Sequence, residues 1–304
     1  MHLLLTGGTG YIGRALAQEV ERVTILTRNP DRARTRIPKA RCFAWDPYRE
    51  PPPAAAFEGV DGVVNLIGDS IGDGRWTEEK KASLRASRLE TTRRLVDALE
   101  NLAERPRVLV SSSALGYYGD RGEEVLTETS GPGDGFLAEL AQAWEAEAER
   151  ARSFGTRVVT LRTALVLGRG GETVERLFGL FRRGLGGRLG NGQQWMSWIH
   201  IQDLVQLYLF ATQNPELAGA MNGGSPEPLR NRDFTRLLAD ALHRPAVLPA
   251  PAFALRLVLG EFAKALLSSQ RMQPAAALTA GFRFRYSSLA SALTEITGEG
   301  PKSA

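Results

Sequence analysis

Short continuous apolar runs alternate with longer amphipathic stretches along this chain. Leu3 to Leu5 forms a first run, broken by the glycine-rich turn TGGTGYIG, and RALAQEV then continues a helix that starts near Tyr11. Val23 to Thr27 reads as a second strand closed by an Asn29-Pro30 turn. RCFAWD reads as a third, ending at Asp46 before the proline-rich loop PYREPPP. Val60 to Gly68 and Pro106 to Ala114 are apolar at consecutive positions, as in strands covered on both faces of a parallel sheet. Between them, TEEKKASLRASRLETTRRLVDALENL places Leu84, Leu89, Leu95, Val96 and Leu99 near helical spacing, giving one long helix or two. FLAELAQAWEAEAERAR supplies another amphipathic helix and Thr156 to Gly168 another strand. This alternation predicts right-handed crossovers and an α/β fold built on a doubly wound parallel sheet.

The pattern changes after Gly168. GLGGRLGNGQQ, from Gly184 to Gln194, is glycine-dense and expected to be mobile, and it precedes the aromatic segment WMSWIHIQDL. From Met221 onward, prolines and short helical patterns predict a smaller, mostly helical C-terminal lobe. Residues 1–168 are therefore assigned to a dinucleotide-binding domain, with 195–215 returning to it, and 169–304 to a substrate lobe.

Composition narrows the function. A chain of 304 residues with 43% hydrophobic and 24% charged residues can bury a large core and has the balance of a soluble enzyme. The net charge of +4 comes from scattered arginines rather than one concentrated basic face, which disfavours nucleic acid and suits a small anionic ligand. Cys42 is the only cysteine, which excludes an internal disulfide and fits a reducing cytoplasm. His2, His200 and His243 are too dispersed for a zinc site, so no metal is expected. Arg256, Glu261 and Lys264 interrupt the most apolar C-terminal stretch, and the N-terminus lacks a basic leader region. The expectation is a cytoplasmic protein without a membrane partner, monomeric or homodimeric.

The candidate chemistry starts at the first turn. Gly8, Gly10 and Gly13 satisfy G-x-G-x-x-G, while Gly7, Gly10 and Gly13 satisfy the looser G-x-x-G-x-x-G. With a strand before and a helix after, such a turn brings backbone N–H groups, those of Tyr11 and Ile12 among them, against a pyrophosphate at a helix N-terminus. Arg28, just after the second strand, offers a fork for the 2′-phosphate of NADP(H), with a solvated arginine and an acidic alternative at Asp31 as competing readings. Asp46 is a candidate for the adenine edge, or a loop carboxylate. Leu66, Gly68 and Ser111 are expected along the cofactor passage.

TGGTGYIG, VVNLIG, SSSALGYYG and WIHIQDL, spread over most of the chain, together resemble the extended short-chain dehydrogenase/reductase and sugar-nucleotide epimerase superfamily, with its Rossmann-like domain. GRWTEEKKASLRASR, FLAELAQAWE, LGNGQQWMSWIHIQDLV and PAPAFALRLVLGEFAKALLSSQR are similar to an atypical branch, the "epimerase family proteins", which carries a short C-terminal domain of its own.

The resemblance implies a catalytic tyrosine with a lysine four residues on. Here Phe136 and Leu140 fall at those positions, and Ser87 falls where an asparagine is usual. The substitution does not depend on register, because no tyrosine lies between Tyr118 and Tyr208 and no lysine between Lys81 and Lys264. Ser113 corresponds to the active-site serine of the superfamily. Tyr117, Tyr118 and His200, the last near Asp203, remain as proton donors, each with a packing role as the alternative. Trp76, Trp195 and Trp198 suggest a flat apolar pocket, and Arg85 or Arg88 could neutralise an acidic substituent. The leading expectation is an NADP(H)-binding oxidoreductase acting on a small molecule, aromatic or anionic. A nucleotide-sugar epimerase or dehydratase and a non-catalytic NADP(H) sensor or scaffold are the alternatives.

Overall fold

The computed structural model describes residues 1–298. His2–Thr6 (β1) runs into Tyr11–Glu19 (α1), followed by Arg22–Thr27 (β2), Pro30–Arg36 (α2) and Arg41–Ala44 (β3). Gly62–Asn65 (β4) leads to the single long helix Glu78–Glu100 (α3) and then to Val108–Ala114 (β5). Val125–Leu126 (β6), Phe136–Glu149 (α4), Arg157–Thr163 (β7), Leu165–Leu167 (β8) and Glu172–Arg182 (α5) come next. Trp195–Met196 (β9), Trp198–His200 (β10), Ile201–Gln213 (α6) and Gly219–Gly223 (β11) follow. The remainder comprises Leu229–Arg230 (β12), Asn231–Ala241 (α7), Ala252–Leu259 (α8), Phe262–Leu267 (α9), Arg271–Met272 (β13), Ala275–Thr279 (α10) and Leu289–Thr297 (α11).

Seven parallel strands form one sheet in the order β11-β7-β5-β4-β1-β2-β3. Alternation within β1 shows why both faces are covered. Leu3 and Leu5 pack with α1 and α6 on one side, whereas Leu4 packs with Leu95 and Leu99 of α3 on the other. The doubly wound, Rossmann-like architecture is therefore the observed one. The chain order reverses between β1 and β4, and the crevice at such a switch point is where ligands bind in open α/β sheets. The C-terminal lobe has its own core, in which α5, α7 and α11 contribute Phe178, Phe234, Leu238 and Leu293.

Several segments differ from their sequence-based reading. Asn29-Pro30 starts a helix rather than a simple turn: the Asn29 side chain accepts Arg32 N–H at 3.0 Å and Pro30 sits at the first helical position, where its missing N–H costs nothing. Thr156 to Gly168 is two strands, because at Ala164 the chain changes partners. Ala164 N–H donates to Gly223 O at 2.9 Å and Leu165 N–H to Ser197 O at 3.2 Å, which moves β8 off the main sheet and beside β10. β11 pairs with β7 at the sheet edge, so the sheet extends to Gly223, into the segment expected to carry prolines and short helices. GAMNG carries too little apolar pattern to announce a strand. The glycine-dense 184–194 segment is fastened, with Gly190 N–H donating to Ala250 O and Leu189 N–H to Asn231 Oδ1, both at 2.8 Å.

Candidate functional site

The turn after β1 is built from close approach. Gly7 has φ +63°, and a Cβ there would lie 2.7 Å from Leu66 O. A Cβ at Gly13 would lie 2.6 Å from both Gly7 O and Gly8 Cα, so α1 can meet the turn only with glycine at that position. Gly10 N–H donates to Gly7 O at 2.9 Å, and α1 begins at the next residue with no side-chain cap and no acidic residue in its first turn. Its first N–H groups and the positive end of its dipole are thus left for an external anion, which the pyrophosphate of a dinucleotide fits. Tyr11 contributes through its backbone only. Its hydroxyl is buried without a hydrogen-bond partner beside Gly168, and burial pushes its pKa up to about 12. Ile12 packs partly buried against the core under α1.

A polar network beneath the cradle joins the C-terminal ends of β1 and β4 to the middle of β5. Asn65 accepts from Thr6 Oγ1 at 2.6 Å and donates to Thr92 Oγ1 at 2.9 Å and Ser111 Oγ at 3.1 Å. Trp144 Nε1 adds a 2.9 Å bond to Thr92, so α3 and α4 are tied into the same cluster. Ser111 is fully buried in it and supports the site from below, which corrects its expected place on the cofactor surface. Asn65 and Thr92 were not singled out from the sequence. The available signal was a polar residue at the end of two otherwise apolar strands, Thr6 and Asn65, with the serine run that opens at Ser111 midway along the next.

At the mouth of the cleft, Arg28 is exposed just past β2. Asp46 is already engaged, its carboxylate accepting Tyr48 N–H at 3.1 Å and lying 3.3 Å from Arg49 Nε, so it acts as a loop carboxylate. Leu66 is half-buried after β4, and Gly68 is exposed with the Arg88 guanidinium close to it. Arg88 donates to Asp69 O at 2.9 Å and lies 5.2 Å over the Trp144 ring, and its burial lowers its pKa. Ser87 Oγ accepts Asp69 N–H at 3.2 Å. Both residues hold the 68–69 backbone, which takes Arg88 away from its expected role of facing a substrate. Further along this loop, Arg176 of α5 donates to Gly72 O at 3.2 Å and Asp73 Oδ1 at 2.7 Å.

Most of the expected proton donors are occupied. Ser113 Oγ donates to Glu145 Oε1 at 2.6 Å, and Glu145 is held by Arg162 at 2.8 and 2.9 Å. Arg162 donates to Tyr118 OH at 3.0 Å, and Tyr118 OH donates to Asn222 Oδ1 at 2.7 Å. Burial would depress Arg162, but the Glu145 carboxylate outweighs it and holds the guanidinium charged; burial pushes the Tyr118 phenol up. His200 is fully buried, accepts Gln202 N–H at Nδ1 and meets Glu295 Oε2 at 3.0 Å through Nε2, with its ring 4.0 Å from that of Tyr286. Burial lowers its pKa. The hydroxyls of Ser113 and Tyr118 and the His200 ring are thus each engaged by interior partners. Tyr117 differs, being half-buried with Arg162 stacked 3.4 Å above its ring.

Phe136, at the first position of α4, is nine-tenths buried, with the Trp76 ring 5.4 Å away edge-on. Lys81 and Arg85 lie 5.6 and 5.0 Å over the Phe136 ring, and they line an open cavity of about 460 Å³ with Glu139 and Glu261. Leu140 is 3% exposed against Leu84 and Phe136. The three tryptophans do not form one pocket. Trp76 packs between Phe136 and Phe262. Trp195 lies between Arg230 and Arg271, at 4.3 and 4.4 Å, with Nε1 on Glu123. Trp198 is fully buried in the lobe core with Nε1 donating to Glu227 O at 3.1 Å, because β10 turns its alternate side chain inward.

Sheet order, glycine cradle and open helix terminus together define a dinucleotide-binding α/β protein. Residues 3–223 match the NAD dependent epimerase/dehydratase family, and residues 250–296 match a domain of unknown function, DUF1731. The chain belongs to the NAD dependent epimerase/dehydratase family, and is similar throughout to proteins named epimerase family protein. The chloroplastic SDR39U1 homolog of Arabidopsis thaliana is 37% identical over 97% of this chain and 86% of its own. YfhF of Bacillus subtilis is 34% identical over 98% and 99%. The crystal structure of human epimerase family protein SDR39U1 (isoform2) with NADPH superposes with a TM-score of 0.88 at 33% identity, covering 99% of this chain and 100% of that one. UDP-glucuronic acid 4-epimerase of Bacillus cereus, at 16% identity and a TM-score of 0.79 over 98% of each chain, shares the fold.

Proposed function

We propose that this protein binds NADP(H) at the Gly7–Gly13 turn and is an oxidoreductase for a small aromatic or anionic molecule, working without a tyrosine/lysine acid–base pair. The observation that carries this reading is the uncapped N-terminus of α1 against a turn in which Cβ atoms at Gly7 and Gly13 would clash. NADPH in the human relative supports it. When bound, the cofactor supplies or accepts a hydride. The chain's own residues do the rest: first-turn N–H groups of α1 hold the pyrophosphate, and Arg28 meets the 2′-phosphate. Ser87 and Arg88 fix the 68–69 backbone, while the Phe136 cavity has a polar rim in which Lys81 pairs with Glu78 and Glu261 and Arg85 pairs with Glu139. Phe136 and Leu140 cannot move a proton, so the proton at the substrate comes from Tyr117 or water.

Occupation of Ser113, Tyr118 and His200 favours one second reading, a non-catalytic NADP(H) sensor. Incubating the protein with NADPH and a metabolite extract, while following cofactor oxidation and metabolite composition, separates them. NADPH consumption with a new product supports the oxidoreductase. Isomerisation without net oxidation would make the protein an epimerase, and silence across a broad extract would make it the sensor.

A further inference from the structure

Among the described residues no helix is long and apolar enough to cross a membrane. The C-terminal lobe nevertheless carries a surface suited to lying on one. α8 has the composition of a core helix, AFALRLVL, yet none of its residues is buried. Phe253, Leu257 and Val258 are 74%, 75% and 66% exposed. The patch continues through the neighbouring backbone pairing, where Ala250 N–H donates to Arg188 O and Gly190 N–H to Ala250 O, each at 2.8 Å. Leu185, Val247 and Leu248 beside that pairing are 58%, 75% and 53% exposed. Soluble monomers seldom leave large apolar side chains gathered in this way.

Within the segments that carry the patch the charge has one sign, and of the carboxylates that flank them, Asp240 and Glu261, the second is paired with Lys81. Segments 177–190 and 242–260 contain Arg182, Arg183, Arg188, Arg244 and Arg256, all exposed, and no acidic residue. The arginine ion pairs of this lobe are made elsewhere, by Arg169, Arg176, Arg230, Arg232 and Arg236. A second copy docked through the same face would set five cations against five. An anionic lipid surface satisfies both halves of the pattern, taking the apolar side chains into the headgroup boundary and the guanidinium groups onto phosphates.

We propose that α8 with the 185–190 and 247–250 segments forms a peripheral docking face for an anionic bilayer. The test is sedimentation of the full chain with vesicles of phosphatidylcholine alone and of phosphatidylcholine mixed equally with phosphatidylglycerol. Partition into the mixed vesicles is expected to exceed that into the neutral ones by at least about tenfold, and to weaken with salt. The triple variant F253S/L257S/V258S is expected to keep the parent's thermal midpoint and NADPH affinity and to lose at least about tenfold in partition. Arg244→Glu and Arg256→Glu are each expected to reduce it about fivefold or more.

Equal partition into both vesicle types, no partition into either, or full partition by the triple variant would overturn the proposal. So would concentration-dependent dimerisation abolished by the triple variant, which would assign the face to a second copy. Retention on immobilised polyglutamate without vesicle binding would assign it to an acidic protein and equally overturn it.

Discussion

Ser113 Oγ and Glu145 Oε1 are joined by a 2.6 Å hydrogen bond, and the same carboxylate oxygen takes Arg162 Nε at 2.8 Å. The serine one residue before the end of β5 thus completes an ion pair whose side chains are 5% and 11% exposed. Ser113→Ala is expected to lower stability in urea by about 1–2 kcal/mol, the cost of one charge-assisted hydrogen bond, and to leave NADPH affinity within about threefold. Glu145→Ala should cost about 3–5 kcal/mol, because it strands the Arg162 charge in the interior. A Ser113→Ala protein of unchanged stability that had lost all turnover would contradict this placement.

The cradle predicts a graded response to added methyl groups. At Gly13 a Cβ would meet Gly7 O and Gly8 Cα at 2.6 Å, both backbone and unable to step aside, whereas at Gly10 the nearest approach is Gly7 O at 3.2 Å. Gly13→Ala is expected to abolish measurable NADPH binding by calorimetry and to destabilise the fold by about 2 kcal/mol or more, as overpacking does. Gly10→Ala should fold close to normally, with weakened binding. The opposite ranking would mean that α1 is not held by this contact.

Arg28 is exposed just past β2, while the nearby Asp46 carboxylate is spent on Tyr48 N–H and Arg49. Tighter binding of NADPH than NADH is therefore expected, by at least about tenfold, since one guanidinium can form a bidentate contact with a phosphate dianion. Arg28→Asp should reverse the order. Fluorescence titration of both cofactors with both proteins measures it, and equal affinities in the parent would remove Arg28 from the site.

His200 gives the protein a pH-dependent weakness. Burial lowers its pKa from 6.5 in the folded state, an effect that the Glu295 carboxylate opposes without cancelling. Below pH 6.5 the unfolded chain therefore binds protons that the folded one does not, so stability is full above that value and is lost as pH falls through the folded pKa. His2, buried between Gly59 O and Thr24 Oγ1, is lowered mainly by the same burial and adds to the loss. Thermal midpoints recorded from about pH 8 to about pH 5 should fall with acidification, and His200→Gln should be less stable overall but show a shallower fall. An unchanged slope in the variant would place the effect on His2 alone.

What the sequence shows plainly is backbone-driven; what it hides depends on partners distant along the chain. TGGTGYIG is readable because steric limits act within seven residues, and Leu3 to Leu5 is readable because consecutive apolar side chains must each find a covered face. Nothing local to Ser113 or Tyr118 reveals Glu145, Arg162 or Asn222, which lie 32, 44 and 104 positions away across the contacts concerned. His200 likewise finds Glu295 at a separation of 95 positions. The inward side of Trp198 is not legible because a three-residue strand gives alternation too short to say which face is inward. α8 misleads in the opposite sense, since its apolar composition reads as core and the structure leaves it uncovered.

Phe136 and Leu140, both in the first half of α4, differ in the room they leave for polar groups. Phe136 is 9% exposed beside an open cavity, so a para-hydroxyl has room at the cavity edge among Lys81, Arg85 and the Glu78, Glu139 and Glu261 carboxylates that pair with them. Phe136→Tyr is accordingly expected to cost less than about 1 kcal/mol of stability in urea. Leu140 is 3% exposed and packed on Leu84 and Phe136, where an ammonium group has no acceptor and must either stay neutral or open the α3–α4 contact. Leu140→Lys is expected to lower stability by about 3 kcal/mol or more, alone or combined with Phe136→Tyr. If the double variant were as stable as the parent, the interior beside α4 would have the space and polarity to hold an ammonium group, and the apolar packing of Leu140 would not be what fixes the α3–α4 contact.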